Sequence, residues 1–99
     1  MPQPLPLDRY VVDVLMRDLV GHDRMPSAFL VYLWLWRMSR GEGRDKVGAS
    51  LQSLATRTGL SKSAVQKAVR RLAERGLVAA TRARATDAPT YEVREPWRR

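Results

Sequence analysis

The sequence predicts a mostly helical α+β fold, a set of helices followed by a short β-hairpin, and three observations predict it. Apolar residues recur at helical spacing in two separate segments, 12–19 and 65–72. Serine and glycine stand where helices start and stop in the second half, at Ser50, Gly59, Ser61 and Gly76. After Gly76, two short strand-like runs flank a polar turn. A chain of 99 residues has room for one domain with a single modest core.

Pro2, Pro4 and Pro6 cannot support a helix, so residues 1–9 read as an extended, mobile lead-in. From Tyr10 to Val20, Val12, Leu15, Met16 and Leu19 fall at i, i+3, i+4 and i+7 and predict one inward stripe of an amphipathic helix. The "YVV" start is β-prone, and residues 10–14 read as helix or as strand. "GHDRMP" then breaks the chain.

A second helix is expected over Ser27–Ser39, opened by Pro26-Ser27 and stopped at Gly41. Phe29, Leu30, Val31, Leu33, Trp34, Leu35, Trp36 and Met38 make it apolar on nearly every side, so it must be covered on more than one face. The helices that follow supply one cover. The first helix or a second copy of the chain supplies the other. The second option predicts a homodimer through the N-terminal helices, with Tyr32 and Trp36 near the contact. Trp34 and Trp36 are assigned to the core rather than to a base-stacking platform.

"SRGEGRD" is a polar loop whose glycines match no phosphate-binding fingerprint, and "KVG" reads as a short strand. Ser50 is the expected N-cap of a short helix carrying Leu51, Leu54 and Ala55 inward. Gly59 makes the sharp turn after it, because glycine accepts positive φ without a Cβ clash. Leu60 plugs the angle between helices, and Ser61 caps the next one, whose Val65, Ala68, Val69 and Leu72 face inward until Gly76. Ala55, Gly59 and Val65 thus give a close crossing, a turn and an anchor. This is the helix-turn-helix arrangement, which offers its second helix to the DNA major groove. The narrow stripe leaves Lys62, Ser63, Gln66, Lys67 and Arg70 for phosphates and base edges.

Residues Leu77–Ala83 and Thr90–Arg94 read as two strands around a "TDAP" turn, and alternation places Arg82 and Arg84 on one face of that hairpin. Charge follows the same division. Residues 1–43 carry no net charge, and residues 44–99 carry the whole +8. Over Ser61–Arg84 there are seven basic residues and one acidic. On charge alone, a nucleic-acid footprint and a solvated basic face are equal readings. The caps, the turn and the hairpin together favour double-stranded DNA as the partner.

From Leu54 to Val78 the pattern "LA…GLS…AV…A…RL…GLV" resembles the N-terminal DNA-binding domain of GntR-type repressors, within the winged helix-turn-helix superfamily of bacterial regulators. The resemblance is specific over residues 50–78, fair through 94 and absent before about 26. It implies that Ser61, Lys62, Ser63, Gln66 and Lys67 meet bases and phosphates, and that Arg82 and Arg84 reach an adjacent groove. The chain departs from that family in two ways: no effector domain is expected after Arg99, and the wing tip lacks a glycine.

Other classes find little support. With no cysteine and one histidine, His22, neither a metal site nor a Cys-His or Ser-His-Asp unit has enough members, so no enzyme, metal or cofactor is expected. "AFLVYLWLW" is too short to span a bilayer, and no secretory leader is visible, so a cytoplasmic, nucleoid-associated protein is expected. Arg71 is expected to pair with Glu74, and His22 to lie exposed beside Asp23. Trp97 either folds over the core, with Arg98 and Arg99 adding phosphate affinity, or sits in a disordered tail. The divisions are a lead-in over 1–9, one domain over 10–95 (helices in 10–43, helix-turn-helix in 50–75, wing in 77–94) and a tail over 96–99. The competing reading is a protein-interaction or replication-accessory module that uses the apolar helix 27–39.

Overall fold

The computed structural model describes residues 3–84 and 86–98; Pro2 and Arg99, named above, lie outside them. The N-terminal helix consists of two π-wound stretches, Val11–Leu15 and Arg17–His22. Helix α1 (Pro26–Ser39) and a 3-10 turn (Arg40–Glu42) lead to strand β1 (Lys46–Gly48). Helices α2 (Leu51–Thr58) and α3 (Lys62–Glu74) follow, then β2 (Val78–Thr81) and β3 (Thr90–Val93). The strands form one antiparallel sheet in the order β1-β3-β2, with Val47 opposite Tyr91 and Val78 opposite Val93. The fold is a winged helix-turn-helix.

Residues 10–14 are helical rather than strand, and the winding corrects the predicted stripe. Val11, Leu15 and Leu19 are buried at a four-residue repeat, while Val12 and Met16 are 43% and 40% exposed. In a π-helix the hydrogen bonds close i→i+5 and the turn is wider than 3.6 residues. Met16 N–H, for example, donates to Val11 O. Of the four residues expected inside, Leu15 and Leu19 are, and Val11 takes the place of the other two.

Helix α1 lies against the N-terminal helix, α2, α3 and the sheet, so most of its cover comes from the same chain, while Leu30 stays 43% exposed. Tyr32 and Trp36 are 0% and 4% exposed, which removes them from any surface contact between copies. Tyr32 Oη donates to Arg94 O (2.9 Å), Trp36 Nε1 to Pro6 O (2.9 Å), and buried Ser39 Oγ to Leu35 O (2.7 Å). Burial is the main reason the Tyr32 hydroxyl titrates well above the ordinary tyrosine range.

The described lead-in is held at its inner end, where Pro6 O accepts from Trp36 and Asp8 from three donors. Asp8 accepts from Tyr10 N–H, Arg98 and Trp97 Nε1, and these bonds, the backbone one first, hold its carboxyl below the usual range. Trp97 stacks on Tyr10 with ring centroids 4.5 Å apart, so the chain up to Trp97 and Arg98 folds back on the N-terminal segment.

Candidate nucleic-acid interface

Two serine caps aim α2 and α3. Ser50 Oγ accepts from Ser53 N–H (3.0 Å), and Ser61 Oγ accepts from Ala64 N–H (3.1 Å), each satisfying an amide that would otherwise lack a partner. Between them Gly59 takes φ +79°, and at the far end of α3 Gly76 takes φ +70°. With Leu54, Ala55, Val65, Ala68 and Leu72 buried, the crossing of the two helices is fixed by packing.

That burial dictates what α3 shows to solvent. At about 100° per residue, Lys62, Ser63, Gln66, Lys67 and Arg70 occupy about 140° of arc, and all five are exposed. Ser61 is exposed at the start of the same face. The face is cationic and rich in hydrogen-bond donors, and no acidic side chain stands on it until Glu74 in the last turn.

The wing differs from the predicted hairpin. Strand β2 ends at Thr81, opposite Thr90, and Pro89 has no N–H with which to extend the ladder. Arg82 and Arg84 therefore lie in an irregular segment, so strand alternation does not place them on one face. Both are exposed. Gln66 from α3 and Arg82 from the wing line one cleft of about 220 Å³, walled by Leu51, Val69, Ala80, Pro89 and Tyr91, and Arg84 is not part of its lining. Burial raises the Tyr91 hydroxyl pKa, so the phenol stays neutral at the cleft wall.

Several other cations are engaged inside the protein. Arg75 bonds both Asp18 and Asp23, Arg71 approaches Glu74 at 3.5 Å, and Arg98 pairs with Asp8 and Glu95. Arg98 thus serves the terminal clasp. Ligand atoms of Asp18, His22 and Asp23 lie within 4.8 Å of one another, but the Arg75 guanidinium already bonds both carboxylates. His22 is exposed, with Nδ1 3.0 Å from Asp23 Oδ1. Sequence reasoning passed over Arg57, whose guanidinium lies 6.0 Å from the half-buried Trp34 ring. Its signal is the polar face Gln52, Ser53, Thr56 and Arg57 at helical spacing, all exposed on α2.

No helix among the described residues is long and apolar enough to cross a membrane. Neither curated proteins nor solved structures match the chain. A family profile described as a helix-turn-helix domain matches residues 25–78, which span α1, β1, α2, α3 and the first residue of β2. With more than half of its length matched, and with the cap–turn–cap geometry in place, the chain belongs to the helix-turn-helix domain family, a DNA-binding kind of domain.

Proposed function

We propose that this chain binds double-stranded DNA sequence-specifically as a bacterial transcriptional regulator of the cytoplasmic nucleoid. Helix 61–75 enters the major groove, in the manner of the GntR-type repressors that its motif resembles. The observation that carries this reading is the single exposed face of α3, Ser61, Lys62, Ser63, Gln66, Lys67 and Arg70, set opposite the buried Val65, Ala68 and Leu72. Lys62, Ser63 and Gln66 stand nearest the capped start of the helix and read base edges, while Lys67 and Arg70 neutralise phosphates. Arg82 and Arg84 extend the cationic surface onto the wing. Selection of bound sites from random duplex DNA tests the reading. A defined motif supports it, and recovery of no enriched sequence ends it.

Two chains on a two-fold site complete the proposal. The exposed side chains Val12, Met16 and Val20 form the stripe that faces a second copy, replacing Tyr32 and Trp36. Three part-exposed side chains cover far less than the about 800 Å² per partner of a standard interface. Pairing is therefore expected on DNA, where neighbouring half-sites raise the effective concentration. Sedimentation should show one 11.3 kDa species alone and two chains per symmetric duplex. Strict one-to-one binding on such a duplex would refute the pairing.

A further inference from the structure

The N-terminal helix has the less common winding, and what that winding places together concerns the other end of the chain. On a 3.6-residue helix, positions five apart point about 140° away from each other. With i→i+5 closure they stack, and Asp23 N–H donates to Asp18 O at 2.9 Å. Their two carboxylates meet on one guanidinium, that of Arg75. Its Nη1 lies 3.1 and 3.4 Å from the Asp23 oxygens, and its Nη2 bonds Asp18 Oδ2. Arg71, one turn earlier on α3, brings Nε to 4.0 Å from the same Asp23.

This clamp sits at the C-terminal cap of α3, and the exposed reading residues sit at the opposite end. The Asp23 side chain is only 6% exposed, and a carboxylate so enclosed requires its cationic partner. An arginine fork bridges two carboxylates at defined angles, which a lysine ammonium does not. The core residues Val65, Ala68 and Leu72 fix which face of α3 points inward. The clamp fixes where its far end lies against the N-terminal helix.

We propose that the Asp18–Arg75–Asp23 clamp is a positioning device that sets the recognition helix for base readout, and that the π winding of the N-terminal helix serves to build it. The proposal rests on the DNA-binding reading above. Arg75 acts through α3 and touches no DNA. Substitutions here therefore cost selectivity without removing phosphate attraction.

The test compares a duplex selected from a random pool with a scrambled duplex of the same composition. Affinities are measured over a range of salt, and the thermal midpoint is recorded for every variant. Arg75→Gln and Asp23→Asn are each expected to lower the ratio of selected to scrambled affinity about tenfold, leaving scrambled-duplex affinity and its salt slope unchanged. Arg75→Lys should fall between wild type and Arg75→Gln. The double variant Arg75→Gln/Asp23→Asn should be no worse than Arg75→Gln alone, because both remove one interaction. Should Asp23→Asn or Arg75→Gln fail to fold, Asp18→Asn, which leaves the better-buried Asp23 pair in place, carries the measurement. Equal weakening on both duplexes, with a salt slope reduced by about one, would make Arg75 a phosphate contact and overturn the proposal. So would wild-type selectivity in the variants. A wild-type protein that does not discriminate between the duplexes refutes the DNA-binding reading itself, and that result is distinct because it appears before any variant is made.

Discussion

Gln66 and Arg82 line the same cleft, yet their loss should read differently. Gln66→Ala removes a side chain able to pair two-pronged with a base edge. It is expected to cost about 1–3 kcal/mol on the selected site and little on random DNA. Arg82→Ala removes charge, so both sites should weaken together and the salt slope should flatten. Equal losses from Gln66→Ala on all sequences would mean that α3 is not turned toward the bases. A different residue governs acid stability. The Asp8 carboxyl is held below its ordinary value of 3.8 by Tyr10 N–H, then by Arg98 and Trp97. Its contribution is fully present above that value and is lost as pH falls through the depressed one. Asp8→Asn should therefore lower the melting temperature at neutral pH and lessen the fall in stability below about pH 4. Unfolding curves at pH 7 and pH 3 check both halves.

Among the elements, the N-terminal helix offers the sharpest test of winding. Leu15 and Met16 both belong to the stripe that a 3.6-residue repeat would bury, but only Leu15 is buried. Leu15→Ala should cost about 2–5 kcal/mol, and Met16→Ala should stay within about 0.5 kcal/mol, both by denaturant unfolding. Comparable losses would restore the ordinary helix. The segment 50–76 was legible in the sequence because its signals are local: Ser50 and Ser61 cap the amides three residues on, and Gly59 and Gly76 need only their own backbone angles. The winding of residues 11–22 was not legible, since Val11 and Val12 are equally apolar and only Asp18 and Asp23 meeting a residue more than fifty positions away distinguishes the registers. The wing arginines were misplaced for a similar reason. Where β2 ends depends on the partner strand, and Pro89 cuts that strand short. Tyr32 and Trp36 show the limit of hydrophobicity alone, because an apolar side chain reads the same whether its own chain or a second copy covers it.

At the scale of the whole molecule, the division of charge along the sequence becomes a division of labour. The half that carries the net +8 holds α2, α3 and the wing, while the neutral half supplies α1 and the two carboxylates, Asp18 and Asp23, that hold Arg75. With about six phosphates neutralised, log K should fall with log[salt] at a slope near −5. Affinity indifferent to salt would contradict the assignment of that face. The clasp of Asp8, Tyr10, Trp97 and Arg98 brings residues 8–10 against residues 97–98. The backbone path therefore nearly closes on itself, and sequence order is partly separable from spatial order. A circular permutant, with residues 98 and 3 joined by a short flexible linker and the chain opened in the irregular wing segment between Arg82 and Arg84, should still unfold in one cooperative step. It should keep the selectivity of α3 and lose only what the wing contributes.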